Sequence, residues 1–253
     1  MKKKIIYILI ILFSIAPAFT EENALKLMKE VDYKCIPSIA DFDWELKVFY
    51  NDGYNSDTKF LGKKNGISQF MFYTYYPNKS FGNVYLRIND TIWNYYPMAD
   101  VTTRTVMRTN ILNSNVDYFD VLFDDLIDNY SSKIISEDSK TTCVELKIIN
   151  KENKQMDEFY PKVLLYINSE NKTPIKREYF SSDNEIIKTI TFSDFKFEND
   201  KVKGFSMKVV SNFDSDKYST ASFNNFEEKD SLAKKYFTIG FLKNWIPDLG
   251  GLQ

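Results

Sequence analysis

The chain has 253 residues and a formal net charge of −2, with 43% hydrophobic and 16% aromatic residues. This composition supports a folded core and excludes collagen-like and low-complexity classes, and the balanced charge gives no basic surface for nucleic acid. The sequence contains no histidine. That absence excludes Ser-His-Asp and Cys-His catalytic systems and HExxH zinc sites, so an enzyme would have to use carboxylates, lysine or tyrosine. No arrangement of these residues in the sequence indicates a catalytic site, and we expect no enzyme activity, no cofactor and no metal.

The first residues resemble an export signal. Three lysines, Lys2–Lys4, precede the apolar run Ile5–Ile15, and Ala16-Pro17-Ala18 supplies small residues before a cleavage point. The apolar run is shorter than the roughly 20 residues that a membrane-spanning helix needs, which favours a cleaved signal over an uncleaved anchor. We therefore predict a signal peptide over 1–18 and a single domain over 19–253.

Two cysteines, Cys35 and Cys143, remain in the mature chain. In an oxidising compartment they could form one disulfide, and two buried free thiols are an equally good interpretation. The CxxC spacing typical of metal or redox sites is absent.

Periodicity predicts a short helix over Ala24–Val31, capped by Asn23, and then mainly strands. The first strand runs from Phe42 to the turn at Asn51-Asp52-Gly53. The other predicted strands are Gln69–Tyr76, Gly82–Ile88, Thr91–Tyr96, Thr142–Ile149, Phe159–Asn168, Pro174–Phe180, Glu185–Phe192, Phe205–Asn212 and Thr220–Phe226. A second helix is predicted over Ser231–Asn244, with Leu232, Tyr236, Ile239 and Leu242 on one side.

The middle of the chain lacks clean strand periodicity. We interpret Met98–Asn115 as a loop with partial helix and Val116–Tyr130 as an amphipathic helix. The acids near this helix are Asp117, Asp120, Asp124, Asp125 and Asp128. They lack the central glycine of a calcium loop and cannot face each other across a cleft, so we interpret them as a solvated helix face. Arg104 and Arg108 could contact a phosphate or lipid headgroup, or pair with nearby acids.

About ten strands and a few helices predict one mainly β domain, either a curled sheet or a barrel. The apolar alternation alone is more typical of a filled core than of a ligand cavity.

Several segments, in this order, resemble the outer-membrane lipoprotein-sorting family, the LolA/LolB-like proteins. They are Tyr76–Ile88, Ile92–Pro97, Val116–Val121, Tyr160–Ile167, Pro174–Phe180 and Ile187–Thr189. The similarity spans most of residues 24–242. One departure is Met98–Arg104, which keeps only the arginine of a stretch that is usually basic.

The resemblance implies a half-open antiparallel β-barrel whose concave apolar face is covered by helices acting as a lid. It also implies a monomeric periplasmic carrier of lipoprotein acyl chains, or of another lipid. Such a carrier would contact an inner-membrane release complex or exporter and an outer-membrane acceptor transiently. The cavity would then be lined by Trp44, Leu46, Val48, Phe70, Phe72, Val84, Leu86, Trp93 and Tyr95. The lid contacts would be Met98, Met107, Ile111 and Leu112, with Arg104 and Arg108 near a headgroup.

Two alternatives stay open. The protein could shuttle a non-protein lipid for a membrane exporter, or it could be a structural envelope domain with a filled core and a protein partner.

Overall fold

The structure is a computed structural model that describes residues 21–66, 68–89, 91–121, 125–149, 160–245 and 247. The signal predicted over 1–18 lies outside these residues. Within them, no helix is both long and apolar enough to cross a membrane.

Thirteen strands within the described residues form one antiparallel sheet. In chain order they are β1 Ile39–Tyr50, β2 Asn55–Asn65, β3 Gln69–Tyr76, β4 Val84–Ile88, β5 Thr91–Tyr96, β6 Val101–Thr105, β7 Tyr130–Glu137, β8 Thr141–Ile148, β9 Lys162–Asn168, β10 Pro174–Phe180, β11 Ile186–Glu198, β12 Lys201–Ser211 and β13 Asp214–Glu228. Across the sheet the strand order is β6-β5-β4-β3-β2-β1-β13-β12-β11-β10-β9-β8-β7. The sheet is therefore open, with β6 and β7 at its edges, and the prediction of a mainly β, antiparallel fold is confirmed.

The two halves of the meander join where β1 pairs with β13. Because β6 and β7 lie at opposite edges, the chain between them must cross from one edge to the other. We call residues 106–129 the crossover segment; residues 122–124 within it lie outside the described residues. It contains a 3₁₀ turn at Ile111–Asn113 and a four-residue helix, α2, at Asp125–Asp128.

The long helix predicted over Val116–Tyr130 is wrong over residues 116–121, and within its described residues only Asp125–Asp128 is helical. Residues 116–121 form turns and a single bridge between Asn110 and Asp117 rather than a helix. The N-terminal helix is confirmed and longer, α1 Glu21–Cys35, so Asn23 lies inside it and does not cap it.

The apolar side of α1 is buried. Ala24, Met28, Val31 and Cys35 belong to the main core, and α1 packs on β7 and β12. This spacing of three and four residues is that of one helix face.

The C-terminal helix predicted over Ser231–Asn244 is replaced by two 3₁₀ turns, Lys234–Phe237 and Ile239–Asn244. The residues that this segment buries are Phe237, Leu242 and Trp245, whereas Ile239 of the predicted stripe is exposed. Packing against the sheet, rather than helical periodicity, decides which side chains point inward. We call residues 232–245 the C-terminal segment.

The sheet is apolar on both faces, and each face has its own core. The helix face carries Trp44, Phe60 and Phe72, and side chains of α1 and the crossover segment pack in the same core. The opposite face, which we call the C-terminal face, carries Met71 and Leu86 and is covered by the C-terminal segment. Such two-sided burial explains why several strands are almost continuously apolar.

Close packing on the helix face requires a glycine at position 62. Gly62 lies directly opposite Phe42 in the β1–β2 register, and a Cβ at Gly62 would lie 2.5 Å from the Phe42 ring. Only glycine lets the ring lie flat across β2.

Candidate functional site

The structure divides the predicted cavity residues between the two faces. Trp44, Leu46, Phe70 and Phe72 belong to the helix-face core, and Val48 is buried on the same side of β1. Val84 and Leu86, with the partly buried Trp93 and Tyr95, belong instead to the core of the C-terminal face. The prediction of one common cavity lining is therefore wrong in its grouping.

Strand register explains this division. Phe72 on β3 lies opposite Tyr85 on β4, so Tyr85, and not its neighbours, shares the face of Phe72. Alternation within each strand was visible in the sequence, but the sequence does not reveal which face of β4 matches which face of β3.

The crossover segment covers the helix face. Seven of its side chains are part of the helix-face core: Met107, Ile111, Val116, Tyr118, Phe119, Val121 and Leu126. The predicted lid residue Leu112 packs against the same core, whereas Met98 is 83% exposed and lies elsewhere. The prediction of Met98 as a contact of this cover is therefore wrong, and the sequence missed Tyr118 and Phe119.

Aromatic side chains fill the space beneath the crossover segment. Trp44 stacks on Phe60 with ring centroids 4.1 Å apart. The cavity between Phe72, Tyr85 and Tyr118 has a volume of about 10 Å³, enough for one water molecule. An acyl chain can enter this region only if the crossover segment moves.

A buried group of charges holds the crossover segment to the sheet. The Lys188 ammonium on β11 lies 2.7 Å from a carboxylate oxygen of Asp117 and 2.8 Å from Asp120. The Tyr160 hydroxyl donates a 2.6 Å hydrogen bond to Asp117. Lys188, Asp117 and Asp120 are only 5%, 1% and 0% exposed. We call these four residues the buried ion cluster.

The location of Asp117 and Asp120 corrects the prediction of a solvated helix face. Their carboxylates also accept each other's backbone N–H groups, both at 2.9 Å, which closes the turn. Asp128 is exposed as predicted, and Asp124 and the Asp125 side chain are outside what the structure describes. The cation that pairs with the two acids is about 70 residues away in sequence, so no local signal could have revealed it.

A second anchor lies beside the cluster. The Asn115 backbone N–H donates to the Ser219 hydroxyl at 2.9 Å, and the Asn115 side-chain amide donates to the Lys217 carbonyl at 3.0 Å. Both acceptors are on β13. The crossover segment is thus fixed to β11 and β13 by buried polar contacts. The Tyr118 hydroxyl adds a buried 3.2 Å hydrogen bond to the Asn94 side chain on β5, and apolar packing completes the contact with the sheet.

The charges in the cluster shift each other's pKa. Burial, followed by the Asp117 charge, raises the pKa of Asp120 to about 6. Burial alone would lower the pKa of Lys188, but the charges of Asp117 and Asp120 outweigh it and raise this pKa to about 12. Two carboxylates thus share one ammonium, and Asp120 is the group that takes a proton first.

We expect stability to rise as the pH falls from 8 to 5. Folded Asp120 binds its proton near pH 6, whereas an unfolded aspartate does so near pH 4. This contribution is complete at about pH 4 and lost as the pH rises through 6, amounting to about 2 kcal/mol. No histidine titrates in this range. Thermal melts between pH 4.5 and 8 should show the rise for the wild type. Asp120→Asn should flatten the profile, and Asp183→Asn, at an exposed carboxyl, should retain it.

The two arginines proposed for headgroup contact occupy different places. Arg108 lies over the Tyr160 ring at 4.4 Å and borders a cavity of about 220 Å³ that Lys188 also lines. Arg104 lies on the edge strand β6 and donates to the Thr91 hydroxyl at 3.2 Å. Only Arg108 therefore lies beside the buried ion cluster.

Both cysteines are buried free thiols. Cys35 belongs to the helix-face core, whereas Cys143 precedes the core residue Val144 on β8 and so points to the opposite face. The sheet separates the two thiols, which settles the alternative left open by the sequence against a disulfide.

A family model matches most of the chain. Residues 66–244, more than two thirds of the chain, match the model of a family described as "Uncharacterized protein". The chain belongs to this family. No curated protein matches the sequence.

Solved structures show that this chain has a LolA-like fold. A LolA superfamily protein from Nitrosomonas europaea is 19% identical, with a TM-score of 0.73 over 86% of this chain and 98% of that chain. A DUF1329 family protein from Desulfovibrio piger is 14% identical, with a TM-score of 0.74 over 87% and 98%. A domain described as an outer membrane lipoprotein-sorting protein, from Vibrio parahaemolyticus, is 15% identical, with a TM-score of 0.71 over 88% and 100%. The predicted resemblance to LolA-like proteins is confirmed in the fold.

Proposed function

We propose that this protein is a periplasmic carrier that shields the acyl chains of a lipoprotein on its helix face and hands them on towards the outer membrane. The observation that carries the proposal is the crossover segment. It is a long non-strand segment that packs on an aromatic apolar face of a LolA-like sheet and is held there by the buried ion cluster and by hydrogen bonds of Asn115 and Tyr118.

In this proposal, acyl chains replace the crossover segment against the sheet. Trp44, Leu46, Val48, Phe70 and Phe72 would contact the chains. Met107, Ile111 and Leu112 would move with the crossover segment, which acts as the lid. Arg108, beside the cavity at the buried ion cluster, is positioned to meet a headgroup.

The energy of opening indicates how many chains the cargo has. Uncovering the seven buried side chains of the crossover segment costs on the order of 10 kcal/mol, at about 1.5 kcal/mol or more for each. Each acyl methylene removed from water gains about 0.8 kcal/mol, so one chain of about 15 methylenes only balances the cost. Two or three chains exceed it, which favours a multiply acylated cargo.

Transfer of the acyl chains would need a difference in affinity between the carrier and its partner at each membrane. A release complex or exporter at the inner membrane would favour the open crossover segment, and an outer-membrane acceptor would bind the acyl chains more tightly. A shuttle of a phospholipid for an exporter would use the same face and the same opening.

One observation favours a different class of function. The cavity of about 10 Å³ under Tyr118 is what a filled structural β domain would show, and such a domain would bind a protein partner without taking up lipid.

Native mass spectrometry separates these functions. The protein would be isolated gently from the envelope of the cells that make it, and its bound mass determined. A mass equal to that of a triacylated lipoprotein supports the carrier, and a phospholipid mass supports the exporter shuttle. Protein without bound mass, which also ignores a fluorescent multi-chain lipid, contradicts both and leaves the structural domain.

A further inference from the structure

The C-terminal face has a groove of its own, independent of the proposed carrier site. It lies between the C-terminal segment and the ends of β3 and β5, and has a volume of about 510 Å³. Ligand sites for small molecules usually have volumes of about 300–1,000 Å³. This groove is therefore large enough for a ligand without any movement of the chain.

The walls of the groove are aromatic and apolar. The Tyr73 ring packs against Trp245 with ring centroids 5.5 Å apart and against Phe81 with centroids 5.9 Å apart, and Pro97 and Met98 complete the wall on the Phe81 side. Met98 and Phe81 are exposed although both are large and apolar. Gly82, at φ +82°, lets the backbone lie close to the Pro97 ring, since a Cβ at this position would be only 3.1 Å from that ring.

One cation lies in the lining of this apolar groove. Lys243 is the charged side chain among the described lining residues, and its ammonium lies 2.6 Å from the Asp100 carboxylate. Tyr95 also donates a hydrogen bond to Asp100, at 3.3 Å. Both partners of the ion pair are largely exposed, and exposed ion pairs contribute about 0–1 kcal/mol. An incoming anion can therefore replace Asp100 at small cost.

We propose that this groove binds a single-chain anionic amphiphile, a long-chain fatty acid, with its carboxylate at Lys243 and its chain along Trp245, Phe81 and Met98. The apolar walls would bind the hydrocarbon chain, and the Lys243 ammonium, released from Asp100, would bind the carboxylate. A single chain suits this open groove, whereas on the helix face it would barely offset the cost of moving the crossover segment.

The positions of the three tryptophans allow each face to be tested separately. Trp44 lies in the helix-face core, and Trp93 and Trp245 lie on the C-terminal face. Bromine on an acyl chain quenches tryptophan fluorescence only at short range. Dibromostearate would be titrated, below its micelle concentration, into Trp44→Phe/Trp93→Phe, which reports Trp245, and into Trp93→Phe/Trp245→Phe, which reports Trp44.

We expect saturable quenching of Trp245 at one equivalent of dibromostearate. Quenching of Trp44 alone overturns the groove while supporting a ligand on the helix face, so failures of the two proposals are distinguishable. Absence of quenching at Trp245, or quenching only by vesicles of dibromo-phosphatidylcholine, also overturns the fatty acid site.

Surface variants in the wild-type background test the head and chain contacts independently. We expect Lys243→Gln to weaken stearate binding about fivefold and Asp100→Asn to strengthen it about threefold, because the second change frees the ammonium. Met98→Glu should weaken binding at least tenfold. Phe197→Glu, at an exposed aromatic side chain on β11 that lines neither this groove nor the cavity beside Arg108, should leave it unchanged. Equal affinities for Lys243→Gln, Asp100→Asn and wild type would overturn the proposal.

Discussion

Replacing Lys188 with methionine is expected to lower the free energy of unfolding by about 3 kcal/mol at pH 7.5. Methionine keeps the unbranched stem of the lysine side chain but lacks the ammonium, so Asp117 and Asp120 are left buried without their cation. Removing one partner of a buried ion pair typically costs 3–5 kcal/mol, because the remaining charge is neither paired nor hydrated. Urea denaturation of the two proteins measures the difference directly.

Acidic solution should reduce this loss. Below pH 6 Asp120 of the variant can take up a proton, so the missing cation matters less. The triple variant Lys188→Met/Asp117→Asn/Asp120→Asn should regain part of the lost stability at pH 7.5, since it buries no charge. Lys208→Met, at an exposed lysine on β12, serves as the matched control and should change stability by less than about 0.5 kcal/mol. A Lys188→Met protein as stable as this control would show that the buried ion cluster does not hold the crossover segment.

The strands that the sequence predicted well each carry three or more large apolar or aromatic side chains. β3, β5 and β10 have the predicted bounds, and β1 and β8 differ by few residues. Two strands that were missed, β2 and β6, carry fewer such side chains. In β2 the buried positions include Thr58, Gly62 and Lys64, and in β6 four of five residues are exposed. Backbone pairing with neighbours forms these strands, and hydrophobic alternation does not reveal it.

The candidate site was harder to predict than the fold. The structure places Trp44, Phe70 and Phe72 in one core, as the strand pattern predicted, but the partner face of β4 depends on register. The crossover segment mimics helical spacing because its apolar side chains, such as Val116 and Phe119, recur every three residues, although they fill the gap between two sheet edges. Asp117 and Asp120 were misinterpreted since their partners Lys188 and Tyr160 come from distant elements.

Phe119→Ala should lower stability and increase lipid uptake together. Phe119 is fully buried in the crossover segment, with ring centroids 5.6 Å from Tyr160 and 6.1 Å from Tyr179. Truncating a buried phenylalanine typically costs 3–5 kcal/mol. In a carrier, the same loss lowers the cost of moving the crossover segment, so the affinity for a two-chain fluorescent phospholipid should rise at least tenfold.

A second phenylalanine shows whether the gain in affinity belongs to the crossover segment. Phe226 is also buried in the helix-face core, but it lies on β13 and not in the covering segment. Phe226→Ala should therefore lose comparable stability while its phospholipid affinity stays near that of the wild type. If the two variants gained affinity equally, a cavity anywhere in the helix-face core would be enough to increase lipid binding, and the crossover segment would not be the lid. If Phe119→Ala lost stability without binding lipid, the helix face would be a filled structural core, because its cover could be weakened without creating a site.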